Sequence, residues 1–493
     1  MILLNLNHTS KDPLFRQIQS QIQDLIERNI LQPGYRLPPT RILSEYLGVH
    51  RSTVYKAYEE LWALGYVESR PGSYSTVRNK LGLATHDYQK SHTAFSWQEA
   101  SSPAADKIYR LYRNMEPRWE QPVPDKVINM AALDLDKRLF PVDEFRKAMN
   151  RAFIDHGPEL LKYGACRGYR PLREYIAQRL QIHGISISWE EILITNGAQD
   201  GFDLVLKLLA TPGCRVLVES PTYSYVIPML HYYRADIVGI PMEKTGMNLH
   251  RLEAELKKGG HAILYTIPNF HNPTGITTTQ THREELLAIC EKYRIPLVED
   301  AFEEEMKYFG KVPLPIKSMD RGQIVIYLGT FSKVLFPGIR IGWVAASREC
   351  IERLAALKRY SDLSTSTPLQ AALVEFCQRG SYDWHVNRLH RFYRKRMQKA
   401  LDSLKRYASH PGVMWTEPSG GYLIWLRMED VDIKDDDLDV TFMSNGVRVI
   451  PGSAFFPQRA SQKFVRLSIS TLDEDEIEEG IRRLGKTIRQ IYG

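Results

Sequence analysis

The sequence predicts a multi-domain chain, an N-terminal winged helix-turn-helix followed by a larger α/β domain on a mainly parallel sheet. Three observations carry this expectation. At 493 residues the chain exceeds what one core ordinarily serves. Residues 1–77 hold three helical patterns and then two short strand patterns. Beyond residue 128, short apolar runs alternate with helical stretches, as expected of strands covered on both faces.

Within the first region, "PLFRQIQSQIQDLIERNI" puts Leu14, Ile18, Ile22, Leu25 and Ile26 on one helical face. Proline and glycine in "LQPGYRLPP" interrupt the pattern. "TRILSEYLG" predicts a second helix with Thr40 as N-cap and Gly48 as its stop, and "RSTVYKAYEELWALG" a third that ends at Gly65. "YVESRPGSYSTV" reads as two strands around Pro71-Gly72. Residues 78–127 are polar and turn-rich and are assigned as a linker, although Tyr109, Leu111, Tyr112 and Trp119 suggest that part of it docks. In the region 128–493, "EILIT", "RVLVES", "AILYTIP", "IPLVED" and "IVIYLG" are the expected strands.

Composition narrows the functional classes. With 43% hydrophobic and 25% charged residues the chain is globular, and a net charge of +7 permits nucleic acid without demanding it. The opening "MILLNLNHTS" lacks the basic flank of a signal peptide, and no apolar run is long enough to span a bilayer, so a cytoplasmic protein with no membrane partner is expected. Cys166, Cys214, Cys290, Cys350 and Cys377 are scattered without metal-ligand spacing, so no metal is expected.

The turn "LGVH" between two helices would present Arg51, Ser52, Thr53 and Tyr55 to base edges in a major groove. Arg36, Arg41 and Lys56 would hold phosphates, and Arg70 would touch the backbone or minor groove from the wing. A small protein-interaction domain would use the same helices. "PLFRQI", "LQPGYRLPPTRILSEYLGV" and "RSTVYKAYEELWALGYVESRPGSYS" resemble the winged helix of the GntR class of bacterial regulators, which implies a double-stranded DNA operator as partner. The class usually has serine where His50 and Pro39 stand, and histidine is a poorer N-cap than serine.

"GTFSKVLFPGIRIGW" raises a second chemistry. A lysine that forms a Schiff base needs a partly desolvated pocket and, where its aldehyde is pyridoxal 5'-phosphate, an anion cradle nearby. Lys333 follows Ser332 and precedes Arg340 by seven residues across a Pro-Gly break. Asp300 ends a strand, where a carboxylate can pair with a pyridine nitrogen or simply cap a helix. Asn272 can face the cofactor's 3-hydroxyl or form an Asn-Pro turn. The amides near Ala198 and Gln199 can cradle phosphate at a helix start. Tyr223 can stack on a ring or sit in a core.

"YGACRGYRPLREYIA", "TNGAQDG", "SPTY", "HNPTG", "VEDAF", "TFSKVLFPGIRIGW", "SGGYLIW" and "FVRLSIS" resemble the fold-type I aminotransferases of class I over residues 128–490. Joined to the winged helix, the chain resembles a MocR/GabR regulator. The resemblance implies a large mainly parallel sheet with a smaller C-terminal α/β subdomain, and pyridoxal phosphate held by Lys333 as an aldimine. Asp300 would face the ring nitrogen and Asn272 the 3-hydroxyl, while Ser332, Arg340, Ala198 and Gln199 would hold phosphate. Tyr223 would stack on the ring and Arg466 would meet an amino-acid carboxylate. Tyr163 would reach the phosphate of the second subunit in a homodimer. The effector would be an amine, an amino acid or pyridoxal phosphate itself; a plain aminotransferase is the alternative, and a cofactor-free DNA-binding protein comes third. Phe302 stands where the subfamily has tyrosine, Leu133 and Leu135 where glycine and proline are usual, and His271 where glutamine is usual. These departures lower the transamination expected.

Overall fold

Spacing builds the first helix. In α1 (Leu14–Glu27), Ile18, Ile22 and Ile26 lie four residues apart, so they share one face, and all three are buried. The computed structural model describes the chain except residues 1, 3, 9, 11, 29, 69–73, 79–94, 120–122, 311–312 and 459–461, with backbone only at 114–119 and 436. α2 (Thr40–Leu47) and α3 (Arg51–Ala63) follow. Gly48 ends α2 at a φ of 64°, a left-handed conformation that glycine adopts without strain.

Two cap expectations are corrected. Thr40 is the first residue of α2 and not its cap; Pro39 precedes it with its φ set by the ring, and no side chain caps the helix. His50 does cap α3, because its Nδ1 offers a lone pair to the Ser52 amide at 3.4 Å and lies 2.7 Å from the Ser52 hydroxyl. β1 (Val67–Glu68) pairs antiparallel with β2 (Thr76–Val77) as the base of the wing. Pro71-Gly72 and Arg70 lie outside the described residues. Leu43, Val54, Leu61, Val67 and Val77 close a small core against α1.

The chain divides into two units, Met1–Trp97 and Gln98–Gly493. The second unit takes in α5 (Pro103–Trp119), which follows the short α4 (Trp97–Ala100). The segment expected as a linker thus contains a 17-residue helix. Ser102 Oγ accepts from the Ala105 amide at 3.2 Å, Pro103 opens the helix where its missing N–H is not needed, and Arg110 pairs with Asp106 at 2.5 Å.

After β3 (Ile128–Asn129), α6 (Val142–His156) and α7 (Arg170–Ile182), the main sheet begins with β4 (Ile192–Thr195), α8 (Ala198–Leu209), β5 (Arg215–Ser220), α9 (Val226–Tyr232), β6 (Asp236–Glu243) and β7 (Gly246–Met247). It continues with β8 (Ala262–Thr266), β9 (Leu297–Asp300), β10 (Val325–Thr330) and β11 (Gly342–Ala345). The strand order is β4-β11-β10-β9-β8-β5-β6-β7, and the pairs from β10 through β9, β8 and β5 to β6 are all parallel. Only β11 and β7 run against their neighbours. Every residue of β4, β8, β9 and β10 is buried, which explains the largely apolar runs of β4, β8 and β10, whereas β9 buries the carboxylates Glu299 and Asp300 at its end.

A smaller antiparallel sheet, β12 (Val413–Trp415), β13 (Leu423–Met428), β16 (Lys463–Ser468) and β15 (Ile450–Pro451), packs with the helices Ser381–Tyr407 and Glu474–Tyr492, while β14 (Val447–Arg448) pairs with β3. α5 lies on α9, with Lys107 Nζ 3.1 Å from His231 Nδ1. No described helix is long and apolar enough to cross a membrane, and the five cysteines are free thiols.

Candidate functional site

In the first unit, α3 buries Val54, Ala57, Tyr58 and Leu61, so the residues between them face outward. Arg51, Ser52, Tyr55 and Lys56 are exposed and Thr53 is half-buried. Arg51 Nε donates to Thr40 Oγ1 at 3.3 Å, and Lys56 Nζ sits 4.2 Å from the centre of the Phe15 ring. Arg41 pairs with Glu45 one turn along α2, and Arg36 lies over Tyr74 next to the wing. Four cationic side chains of this unit are therefore at the surface around α3 and the base of the wing.

In the second unit, strand direction gathers the site. In open α/β sheets ligands bind beyond the carboxyl ends of the strands. β4 leads to Gly197 and α8, β5 to Tyr223, β8 to Asn272, β9 ends at Asp300, and β10 runs into Ser332 and Lys333. All of these line one cavity of about 770 Å³, joined by Ala198, Gln199, Arg340 and Arg466. Gly197, at a φ of 103°, is approached by the Arg340 guanidinium, which donates to the Asn196 carbonyl at 2.6 Å; a side chain at Gly197 would meet it at 2.9 Å. Gly342 is required for a like reason, since a Cβ there would strike the Gly197 backbone at 2.6 Å. Tyr163 is 88% exposed and lies outside this cavity.

Charge in the cavity is set by burial. Burial holds Lys333 below the ordinary lysine value, while Asp134 and Glu303 pull it back up; its Nζ donates to the Leu133 carbonyl at 2.9 Å. Burial raises the Asp300 carboxyl to about 6 against the hydrogen bond that Tyr265 donates to Oδ2 at 2.6 Å. Arg466 is lowered to about 10 by burial and stays cationic at neutral pH. It donates to Asn272 Oδ1 at 3.2 Å and to the Ala131 carbonyl at 2.7 Å. Asp300 Oδ1, the Ser332 hydroxyl and Arg466 Nε are buried with no hydrogen-bond partner among the described residues. Such orphaned groups around one cavity mark where a polar ligand belongs.

The sequence gives no separate signal for several residues of this neighbourhood. Tyr265, inside an aliphatic strand, could have been suspected because a buried phenol needs a partner. Glu303 is 1% exposed with both carboxylate oxygens unpartnered, and burial pushes it up to about 8 despite Lys333. Ile108, Leu111 and Tyr112 of α5 line the same cavity. His271 lies in the Asn272 loop with Nδ1 2.8 Å from Thr274 Oγ1 and Nε2 3.4 Å from Glu219 Oε2, so it braces the loop from beneath.

The chain was compared with known proteins. Residues 125–484 match the family described as aminotransferase class I and II, and residues 14–77 match the bacterial regulatory proteins of the gntR family. The aromatic-amino-acid aminotransferase 1 of Thermococcus litoralis is 34% identical over 84% of this chain and 98% of its own length. YdfD of Bacillus subtilis, an HTH-type transcriptional regulator whose role is uncharacterised, is 29% identical over 98% of this chain and 97% of its own. The alpha-aminoadipate aminotransferase LysN of Thermus thermophilus, solved with N-(5'-phosphopyridoxyl)-L-leucine, superposes with a TM-score of 0.74 at 30% identity, covering 81% of this chain and 99% of that one.

Pyridoxal phosphate fits the cavity on this chain's own residues. An amine with a lowered proton affinity, an unpartnered carboxylate oxygen, and a hydroxyl and guanidinium beside the first amides of α8 are what its aldehyde, ring nitrogen and phosphate require. The chain belongs to the aminotransferase class I and II family, a pyridoxal-phosphate fold joined here to a gntR-family winged helix as in the MocR/GabR regulators.

Proposed function

We propose that this protein is a transcriptional regulator that acts in the cytoplasm as a homodimer and senses an amine, an amino acid or pyridoxal phosphate itself in its aminotransferase-like domain. Residues 1–77 bind the operator, 128–493 hold cofactor and effector, and 78–127 connect them. One observation carries the reading: the lysine-centred cavity, with its orphaned buried groups, belongs to the same chain as an exposed helix bearing Arg51, Ser52, Tyr55 and Lys56. A metabolic aminotransferase has no use for that helix.

When bound, pyridoxal phosphate supplies an aldehyde that condenses with amines and a ring that withdraws electrons from them. Lys333, whose amine burial holds below the ordinary lysine value, would be its point of attachment. Asp300 would accept the hydrogen bond of the protonated ring nitrogen, Asn272 would meet the 3-hydroxyl and Tyr223 would lie against the ring. Ser332, Arg340 and the amides of Ala198 and Gln199 hold the phosphate. Arg466 takes the effector's carboxylate. Tyr163, with Val142, Ile154 and Leu161 also exposed, suits contact with a second subunit, where it would reach that subunit's phosphate. On DNA, Arg51, Ser52, Thr53 and Tyr55 face base edges, and Arg36, Arg41 and Lys56 hold phosphates, with Arg70 on the wing.

Turnover is weak in this reading. Phe302 lines the cavity without a hydroxyl, and the phenol of Tyr265, which lines it too, is committed to Asp300. Leu133 sets its carbonyl against the lysine, and Leu135 is buried. The alternative, an active aminotransferase, is favoured by the intact set of Lys333, Asp300 and Arg466. Keto-acid release and DNA affinity, measured on one preparation with each candidate amine, separate the two. Effector-dependent DNA binding with little keto acid supports the sensor; rapid multiple turnover without any effect on DNA binding establishes the enzyme instead.

A further inference from the structure

One buried carboxyl near Lys333 has no role in the site described above. Glu303 follows Asp300 by three residues and is 1% exposed, and neither of its carboxylate oxygens has a hydrogen-bond partner among the described residues. It is not part of the cavity wall. Its Oε2 is held against the chain at Gly421, where a Cβ would come within 2.5 Å of it, and the next residue, Tyr422, donates its hydroxyl to the Lys333 carbonyl at 2.8 Å. Carboxyl and lysine are therefore braced by the same short stretch of chain.

Asp134 and Glu303 are the acids that act on the charge of Lys333, opposed by the guanidiniums of Arg466 and Arg340. Asp134 is exposed, so water screens it, whereas the buried Glu303 acts with far less screening. Glu303 in turn faces Lys333 and Arg466, with Asp300 as a like charge and Tyr308, Tyr393 and Tyr422 around it. The Tyr308 hydroxyl and two nitrogens of Arg396 are also buried without partners among the described residues. Buried donors are thus at hand for a carboxylate, through water where they do not touch it. An unpartnered carboxyl in such a place favours its protonated form until a cation forms beside it.

We propose that Glu303 is the acid–base partner of the Lys333 nitrogen, and that one proton moves between them when pyridoxal phosphate is attached or released. The inference rests on Lys333 as the attachment point. Without the cofactor the carboxyl keeps the proton and the lysine is a free amine. Attachment forms a carbon–nitrogen double bond and expels the aldehyde oxygen as water with the two hydrogens of the amine. The carboxyl proton then passes to that nitrogen and leaves a carboxylate facing a cation. The net charge is unchanged, and neither charge is buried alone.

The test uses the full-length protein with pyridoxal phosphate and no effector. Its visible absorbance, which changes when the nitrogen joined to the cofactor gains or loses a proton, is followed across a pH series. Glu303→Gln keeps the shape and removes the charge, so the nitrogen should lose its proton about one pH unit lower, an about tenfold weaker hold. Glu303→Asp, which retains the charge, should show less than about half that shift, and Asp134→Asn should also shift less than Glu303→Gln. Difference infrared spectra at about pH 7 should show a protonated carboxyl lost as pyridoxal phosphate binds, and Glu303→Gln should not show this loss. An unmoved midpoint in Glu303→Gln, or a carboxyl loss that it shares with the parent, overturns the pairing while Lys333 keeps its assignment. A larger shift in Asp134→Asn overturns it too and gives the role to the exposed acid. Should Glu303→Gln not fold, the parent and Glu303→Asp decide: an infrared loss whose frequency the substitution moves supports the pairing, and no loss overturns it. A parent protein that forms no visible band with pyridoxal phosphate removes the attachment reading and this inference together.

Discussion

The Lys333 amine donates to the Leu133 carbonyl at 2.9 Å, across 200 residues of sequence. This contact fixes the nitrogen without neutralising it, because a carbonyl offers a lone pair and no charge. Burial meanwhile favours the uncharged amine. Lys333→Ala should therefore abolish the visible absorbance of bound pyridoxal phosphate and its loss on borohydride treatment. A purified Lys333→Ala protein with the parent spectrum would refute the assignment of this residue.

Asp300 gives cofactor retention a pH dependence. Burial raises its carboxyl to about 6 in the cavity, so below that value it is increasingly protonated and loses the charge that a protonated ring nitrogen needs. The sign follows: retention weakens as pH falls through about 6, and the bound cationic ring, which favours the carboxylate, shifts the midpoint lower. Asp300→Asn removes a charge-assisted hydrogen bond of about 1.5–3 kcal/mol, ten- to hundredfold in affinity, and should flatten the profile between pH 5 and 7.5. Equilibrium dialysis of the cofactor across this range checks both. An unaltered profile in Asp300→Asn would mean that another group titrates.

Glu303 makes a stability prediction. Burial raises it to about 8, with Lys333 and Arg466 opposing, so the cofactor-free folded state holds a proton that the unfolded chain releases at the ordinary glutamate value. The folded state binds more protons between these two values, so stability falls as pH rises across this window. The advantage of the neutral carboxyl is complete below the ordinary glutamate value and lost on passing about 8. Glu303→Gln keeps the shape without the titration. Its Tm relative to the parent should rise steadily from pH 5 to 8; a pH-independent difference would show that Glu303 is held neutral or charged throughout.

Much of the cavity could be read from the sequence because its residues sit at strand ends, where one motif fixes both backbone and chemistry. Lys333, Ser332 and Asp300 are of this kind, and so is the Gly197 turn into α8. Residues that join the site from other parts of the chain carry no such local mark. Tyr265 is one aromatic in an aliphatic strand, and its bond to Asp300 follows from the parallel pairing of β8 with β9. Glu303 reads as one acid in a run of three, "EEE", and only burial sets it apart. α5 was obscured by its polar flanks, although Ser102-Pro103 marks its start and Ile108, Leu111 and Tyr112 keep helical spacing. His50 misleads in the opposite sense, since side-chain identity alone does not reveal that its Nδ1 reaches the Ser52 amide.

The winged helix separates base reading from phosphate holding by geometry. Arg51 opens α3, exposed and tied among the described residues by a 3.3 Å bond to Thr40 Oγ1, so it can turn toward a groove at little cost. Arg41 is bound to Glu45 in a surface pair worth well under about 1 kcal/mol, which a DNA phosphate can displace. Arg51→Ala should cost about 1–3 kcal/mol on the cognate site and relax sequence preference there, with little change on random DNA. Arg41→Ala should weaken binding on every sequence and reduce the salt slope by about one. Fluorescence anisotropy with the upstream region of its own gene and with a scrambled duplex, each across a salt series, distinguishes the two effects. Equal losses on both duplexes for both variants would mean that the two arginines share one role on the DNA backbone.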